Sequence, residues 1–255
     1  VFVPFALPGE KVRTRIFRND NNCSQGDLIE ILEPSPHRIE PKCSLFGECG
    51  GCQYQHVDYP TQVKWKTRQV GELLQHMAGI DHPVLPAIES PRQWNYRSKL
   101  TPHFQNPKNG KITSIGFLRN GQRNNILDVP QCPIAMEEIN DALPLLRKLA
   151  HQNAKEYKKG VTMLMRVTEG KVETNHRAIA TEQVGDLTFN FLAGDFFQNN
   201  PFILPTFTQY AAEQASQSGA KYLVDAYCGS GLFAVSLASS FEKVAGVEVS
   251  ETAAD

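Results

Sequence analysis

Tyr222-Leu-Val-Asp225-Ala-Tyr227-Cys228-Gly229-Ser-Gly231-Leu-Phe-Ala234 is the stretch that decides the fold. It reads as an apolar strand ending in an acid, a glycine-rich turn, and the opening of a helix. A helix over about 232–240 and a strand over 244–249, with Glu248 near its end, complete one βαβ unit. Gly229 and Gly231 let the backbone approach a ligand closely, and the Glu248 carboxylate suits a pair of ribose hydroxyls. Two cofactor classes compete for such a loop. Dinucleotides place a pyrophosphate beneath the helix N-terminus, whereas S-adenosylmethionine carries no phosphate. The acid that starts the loop, Asp225, favours S-adenosylmethionine over NAD or FAD. Cys228 reads as a small packing residue.

Upstream lies Gly194-Asp195-Phe196-Phe197-Gln198-Asn199-Asn200-Pro201. Amides beside aromatics can read the edge of a planar base. Asn200 before Pro201 also has the form of a helix cap, so Asn200 is expected to cap a helix over 201–217 while Gln198 faces the ligand. Further upstream the chain is strand-rich from 80 to 190. Strands are expected over 98–104, 112–118, 161–167, 172–175 and 187–192, with hairpin turns at Asn109-Gly110 and Glu169-Gly170. A helix over about 136–152 contains Pro144, and a second, over 59–79, starts at Pro60 and stops at Gly79. Residues 1–42 read as two strands and a Pro-rich linker, part of a small barrel too short to close alone.

Cys43, Cys49 and Cys52 fall within ten residues around a Gly-Gly turn, and Cys132, between Gln131 and Pro133, is the natural fourth member. Six cysteines in 255 residues do not make a disulfide scaffold. Four sulfurs converging on one centre would hold an iron–sulfur cluster or a tetrahedral zinc. Cys23 reads as a bystander. The net charge of −1 gives no global signal for nucleic acid. Residues 61–125, however, carry ten Lys or Arg against three acids, with Trp65, Trp94, Tyr96, Phe104 and Phe117 among them. Such a stretch can grip phosphates and stack bases, or be a solvated face over core aromatics. No run of eighteen apolar residues marks a membrane span. The start at Val1 lacks both Met and a signal peptide, which suggests a chain beginning inside a longer one.

Together these residues resemble the uracil-5 RNA methyltransferase family, whose members act on 23S ribosomal RNA and on the tRNA T-loop. The resemblance rests on Ser35-Pro-His-Arg-Ile-Glu-Pro-Lys-Cys43, the Cys-x5-Cys-Gly-Gly-Cys run, Asn95-Tyr-Arg-Ser-Lys99, Gln131-Cys132-Pro133, Asp195-Phe-Phe-Gln198-Asn199 and Asp225–Gly231. It implies an α/β-plus-β chain in three parts. These are a partial OB-like TRAM barrel over 1–42, a strand-rich iron–sulfur domain over 43–190, and the start of a Rossmann-like methyltransferase domain over 191–255. The helix over 59–79 is available to pack on the last of these. It also implies that Cys43, Cys49, Cys52 and Cys132 ligate a [4Fe–4S] cluster, and that Gln198, Tyr227 and Glu248 line the S-adenosylmethionine site with Asp225, Gly229 and Gly231.

The implied reaction is methyl transfer to C5 of a uridine, with 23S rRNA favoured and tRNA as the other substrate, in a cytoplasmic monomer. In the family the cysteine nucleophile and the base lie downstream of the βαβ unit. No cysteine follows Cys228 here, so both are expected beyond Asp255, and the chain reads as a fragment, inactive alone. Two further readings stay open. One is a non-catalytic RNA-binding module with an iron–sulfur or zinc site; the other is a redox enzyme, against which the x5-then-x2 spacing speaks.

Overall fold

The structure, a computed structural model, describes residues 1–254; Asp255 lies outside the described residues. The chain divides into two compact units, Val1–Glu89 with Leu118–Asn125, and Ser90–Phe117 with Ile126–Asp255.

In the first unit, β1 (Lys11–Asn19) and β2 (Ser24–Glu33) form an antiparallel ribbon. Lys11, Arg13 and Arg15 alternate along β1 and pair across the ribbon with Glu33, Glu30 and Asp27 at 2.9, 2.6 and 2.7 Å. These pairs are solvent-exposed and set register more than stability. Two strands cannot close a sheet, so the ribbon stays open and Ile16, Phe17, Ile29 and Leu32 stay exposed.

Beside the ribbon, two sequence motifs meet. Glu10 of the Pro-Gly-Glu segment is fully buried against Arg38 of Ser35-Pro-His-Arg38, which spends Nε and Nη2 on its carboxylate and donates again to the Phe5 carbonyl at 2.7 Å. Leu7 N and Ser35 N donate to the same carboxylate. These bonds hold Glu10 down at about pKa 2. Under this pair His56 packs on Phe46, with ring centroids 5.0 Å apart, and both of its ring nitrogens lack a partner. Burial, reinforced by the Arg38 charge, pushes its pKa to about 4.

The pH dependence follows from the signs of these shifts. An unfolded His takes its proton near pH 6.5 and the folded one only near 4, so the stability present above 6.5 is lost as pH falls through that window. Glu10 extends the loss below about 4.5 towards 2. The His56 part amounts to about 3 kcal/mol. His56→Phe, which keeps the aromatic contact, is expected to flatten the denaturation midpoint between pH 6.5 and 4.5 and leave the Glu10 loss below it. An unchanged slope in the variant would assign the effect elsewhere.

The helix α1 (Tyr59–Ala78) lies where its signals put it. Asp58 Oδ1 accepts from Thr61 N at 2.9 Å, Pro60 occupies the first turn, and Gly79 closes the end at φ +67°.

The second unit is built of short strands. β3 (Lys99–Leu100), β4 (His103–Phe104), β5 (Gly116–Leu118) and β6 (Ile126–Asp128) precede α2 (Glu137–Gln152), and β7 (Val161–Thr162), β8 (Met165–Thr168), β9 (Lys171–Glu173), β10 (Ile179–Val184) and β11 (Leu187–Leu192) follow it. They pair as β6-β5-β4-β7, β3-β8-β9 and β10-β11. Helix α2 lays Ile139 and Leu143 on Leu100, Met165 and Val167, and Ala150 joins Phe104, Ile112 and Ile115. Both expected hairpin turns form: Asn109 and Gly110 at φ +52° and +69°, and Glu169 and Gly170 at +47° and +72°.

After β11 come a single 3-10 turn at Pro201–Ile203 and α3 (Leu204–Ser216). The parallel pair β12 (Tyr222–Asp225) and β13 (Lys243–Gly246) flanks α4 (Leu232–Ser236), and α5 (Glu251–Ala254) follows. This is the βαβ unit the glycine loop announced. No described helix is long and apolar enough to cross a membrane.

Candidate cofactor site

The site is the turn at the carboxyl end of β12, where ligands bind in open α/β sheets. Asp225 is the last residue of that strand and lies opposite Gly246 in the parallel register. Its Oδ2 accepts from Ala234 N at 3.2 Å, so the acid that opens the loop ties down the helix that closes it. Gly229 and Gly231 take φ of +53° and +77°, and a Cβ on Gly229 would meet nothing within 4 Å. The backbone there faces open space. Cys228 turns the other way: a Cβ on Gly246 would lie 2.9 Å from its sulfur. It is a packing residue in this loop, and it is why Gly246 has no side chain.

Glu248 arches over the turn. Its Oε2 accepts from Gly229 N at 2.8 Å and its Oε1 from Ser250 N at 2.9 Å. These two backbone donors hold its carboxyl below the usual carboxylate range, so it is an anion at neutral pH. Each oxygen keeps a lone pair for a further donor. Tyr227, on the turn itself, is 93% exposed.

The segment 194–200 is held beside this loop by the core. Phe197 stacks on Phe191, with ring centroids 4.3 Å apart, and buries in the cluster that contains Leu204 and Leu232, the first residue of α4. Gln198 follows it, half-buried. Asn200 precedes the 3-10 turn as expected, but its side chain does not cap: Nδ2 donates to Ser90 Oγ at 2.9 Å. The Oδ1 atoms of Asn199 and Asn200 and the Ser230 hydroxyl are buried without a partner.

What bolts the segment in place was hidden in the sequence. Ser98 N donates to the Asn199 carbonyl at 2.8 Å, and Lys99 Nζ to the Gly194 and Asp195 carbonyls at 2.8 and 3.0 Å. Arg166, only 1% exposed, donates to the Ala193 and Asp195 carbonyls at 2.9 and 2.8 Å. The motifs Asn95–Lys99 and Asp195–Asn199 are therefore two halves of one structure. Lys99, counted above among cations available to RNA, is spent on backbone. Phe104 from the same stretch is core. The sequence offered one faint signal, a lone Arg in the otherwise apolar strand Met165–Val167.

The cysteines stand differently. Cys43, Cys49 and Cys52 belong to the first unit and Cys132 to the second, where it packs on the core under α2. All four are half-buried. Gly51 N donates to Cys49 Sγ at 3.4 Å; burial, and then the nearby Cys43, push the Cys49 thiol up. Among the described residues no group of three or more Cys, His, Asp or Glu is gathered closely enough to hold a metal ion. The donor chemistry of the four thiols suits a cluster.

The parallel pair, its glycine turn and the acid after β13 define a Rossmann-like βαβ unit. Residues 137–255 match the family model described as tRNA (uracil-5-)-methyltransferase. The resemblance drawn from the motifs is borne out: the chain is a relative of the RNA uracil-5-methyltransferases. It is 42% identical to the tRNA (uracil(54)-C(5))-methyltransferase of Schizosaccharomyces pombe, over 98% of this chain and 51% of that protein. It is 32% identical to the enzyme of the same name from Saccharomyces cerevisiae, over 98% and 50%. The chain therefore spans about half the length of these relatives. Its fold matches the crystal structure of Pyrococcus abyssi tRNA (uracil-54, C5)-methyltransferase in complex with S-adenosyl-L-homocysteine. The TM-score is 0.72 at 17% identity, covering 98% of this chain and 69% of that one.

Proposed function

We propose that this chain is the cofactor-binding part of an RNA uracil-5-methyltransferase acting on tRNA. The observation that carries the reading is the Glu248 carboxylate, ionised and bonded to Gly229 N, over a glycine turn with open space in front of it. S-adenosylmethionine fits such a cradle: the turn takes the nucleoside, Glu248 accepts from its ribose hydroxyls, and Asp225 and Tyr227 border it. When bound, the cofactor supplies an electrophilic methyl group. Gln198, on the clamped segment, is proposed to line the same cofactor site. The named relatives at 42% and 32% identity are both tRNA enzymes, which moves the proposal from the ribosomal RNA favoured by the sequence to tRNA.

The family resemblance supplies the chemistry of the whole enzyme. A thiolate adds to C6 of the flipped-out uridine, C5 gains the electron density to take the methyl group, a base removes the C5 proton, and the thiolate is expelled. That nucleophile and base are proposed to lie outside residues 1–255. The set Cys43, Cys49, Cys52 and Cys132 is proposed as ligands of a [4Fe–4S] cluster on their spacing and the resemblance alone, and no step is routed through it.

Calorimetry of the chain with S-adenosylhomocysteine tests the core of this reading. Binding is expected, with none to NAD. RNA binding with a steep salt dependence but no affinity for S-adenosylhomocysteine would establish the non-catalytic module instead. In cells, loss of the whole protein is expected to remove 5-methyluridine from tRNA. Iron and acid-labile sulfide at roughly four each per chain mark the cluster, whereas a single zinc replaces it.

A further inference from the structure

Asp195 links two networks that the proposed cofactor site does not itself explain. Its backbone carbonyl accepts from both Lys99 and Arg166, two cations that form no ion pair among the described residues. Burying two cations on backbone carbonyls costs desolvation, which folds tolerate where a loop must be held in one place. The Asp195 carboxylate, close enough to favour the charged form of both cations, also makes a contact of its own. Its Oδ2 accepts from Thr252 Oγ1 at 3.2 Å, 57 residues on, in the turn of helix that follows β13. Thr252 Oγ1 lies 3.1 Å from Ser250 Oγ, and Ser250 N donates to Glu248 Oε1. The other Glu248 oxygen holds Gly229.

We propose that Asp195 is a positioning residue for the cofactor: through Thr252 and Ser250 it fixes the rotamer of Glu248, and so the affinity for the ribose of an adenosyl ligand. The proposal rests on the cofactor reading above and deepens it. The Lys99–Arg166 clamp gives the relay its fixed end, because Asp195 is held by its backbone and its carboxylate is left to act at a distance. The same clamp fixes Gln198 three residues later, so Glu248 and Gln198 share one anchor.

The test is a double-mutant cycle read by calorimetry with S-adenosylhomocysteine. Asp195→Ala removes the bond from Thr252, Thr252→Val removes that bond and the contact with Ser250, and each is expected to weaken binding by about 3- to 10-fold. Asp195→Asn keeps an acceptor for Thr252 and is expected to retain near wild-type affinity. In a Glu248→Ala background neither substitution is expected to weaken binding further, because the group they orient is gone. An S-adenosylhomocysteine analogue lacking both ribose hydroxyls is expected to bind wild type and Asp195→Ala equally.

Losses that add in the Glu248→Ala background, or persist with the deoxygenated analogue, would overturn the relay and make Asp195 a direct contact. A fall in melting temperature that accounts for the loss of affinity would make it merely structural. The clamp bonds the Asp195 carbonyl and not its side chain, so truncation is expected to leave the fold intact, and Thr252→Val probes the same relay from its far end. Failure of wild type to bind S-adenosylhomocysteine at all would instead bring down the cofactor reading. That outcome is distinct from normal wild-type binding with an indifferent Asp195→Ala, which sinks only the relay.

Discussion

Glu248→Ala is expected to weaken S-adenosylhomocysteine binding by about 10- to 100-fold while leaving the melting temperature within a few degrees of wild type. Two losses combine. A charged acceptor for two ribose hydroxyls is gone, and bonds to an ionised group are stronger than those between neutral ones. Gly229 N and Ser250 N also lose their acceptor, so the turn is no longer held in the conformation the ligand needs. The carboxylate is largely at the surface, so global stability is little involved. Its two backbone donors hold its pKa below the ordinary value. Binding is therefore expected to be flat from pH 6 upward and to weaken only when acid protonates the group. A variant that binds as tightly as wild type would remove Glu248 from the site.

The second large effect is on folding. Gly116→Ala is expected to destabilise the second unit by about 3 kcal/mol or more, enough to leave much of the protein unfolded or insoluble at 37 °C. A Cβ at Gly116 would sit 2.2 Å from the Leu127 carbonyl oxygen, 2.7 Å from a Val129 methyl and 2.8 Å from Val129 N. Two of these atoms are backbone, in and just beyond β6, and cannot swing aside as a side chain could. The strand pair β5–β6 must separate, and with it the bond from Val129 N to the Ile115 carbonyl. Urea unfolding of the variant against wild type measures it; a change under 1 kcal/mol would show that the sheet yields more easily than its geometry implies. Gly170→Ala is the control: its φ of +72° strains a side chain, as that of Gly116 does not, but no atom lies within 4 Å of the added carbon.

Where the sequence carried its own local cause, the structure followed it. Strand β12 spans 222–225 because its run ends in an acid and a glycine turn, and α1 ends at Ala78 because Gly79 alone adopts the left-handed closure cheaply. Strands failed where tertiary context decided. The continuous strand expected over 98–104 is broken between β3 and β4 at Pro102, which has no N–H to give and serves only as an acceptor for Met163 N. Strand β10 went unread because Thr181-Glu182-Gln183 looks like loop; pairing with β11 buries Glu182 enough to raise its pKa.

For the site, the glycine turn and its acids were legible because a βαβ loop is contiguous. The Lys99, Arg166 and Asp195 contacts were not, since nothing local ties residue 99 to residue 194. For the thiols, the spacing of Cys43, Cys49 and Cys52 on one loop announces donors, whereas nothing local ties Cys132, 80 residues on from Cys52, to them.

The bond from Ser98 N to the Asn199 carbonyl has a consequence during synthesis. Its two ends lie 101 residues apart in sequence, and at about 5–20 residues per second the ribosome takes roughly 5–20 s to deliver the second after the first. Throughout that interval Ser98 N and the Lys99 ammonium lack their native acceptors, while Asn95 and Arg97 already find theirs at Pro133 and Ile134, and β3 its partner β8. The last bonds of this segment therefore close only once residues 194–199 have been made.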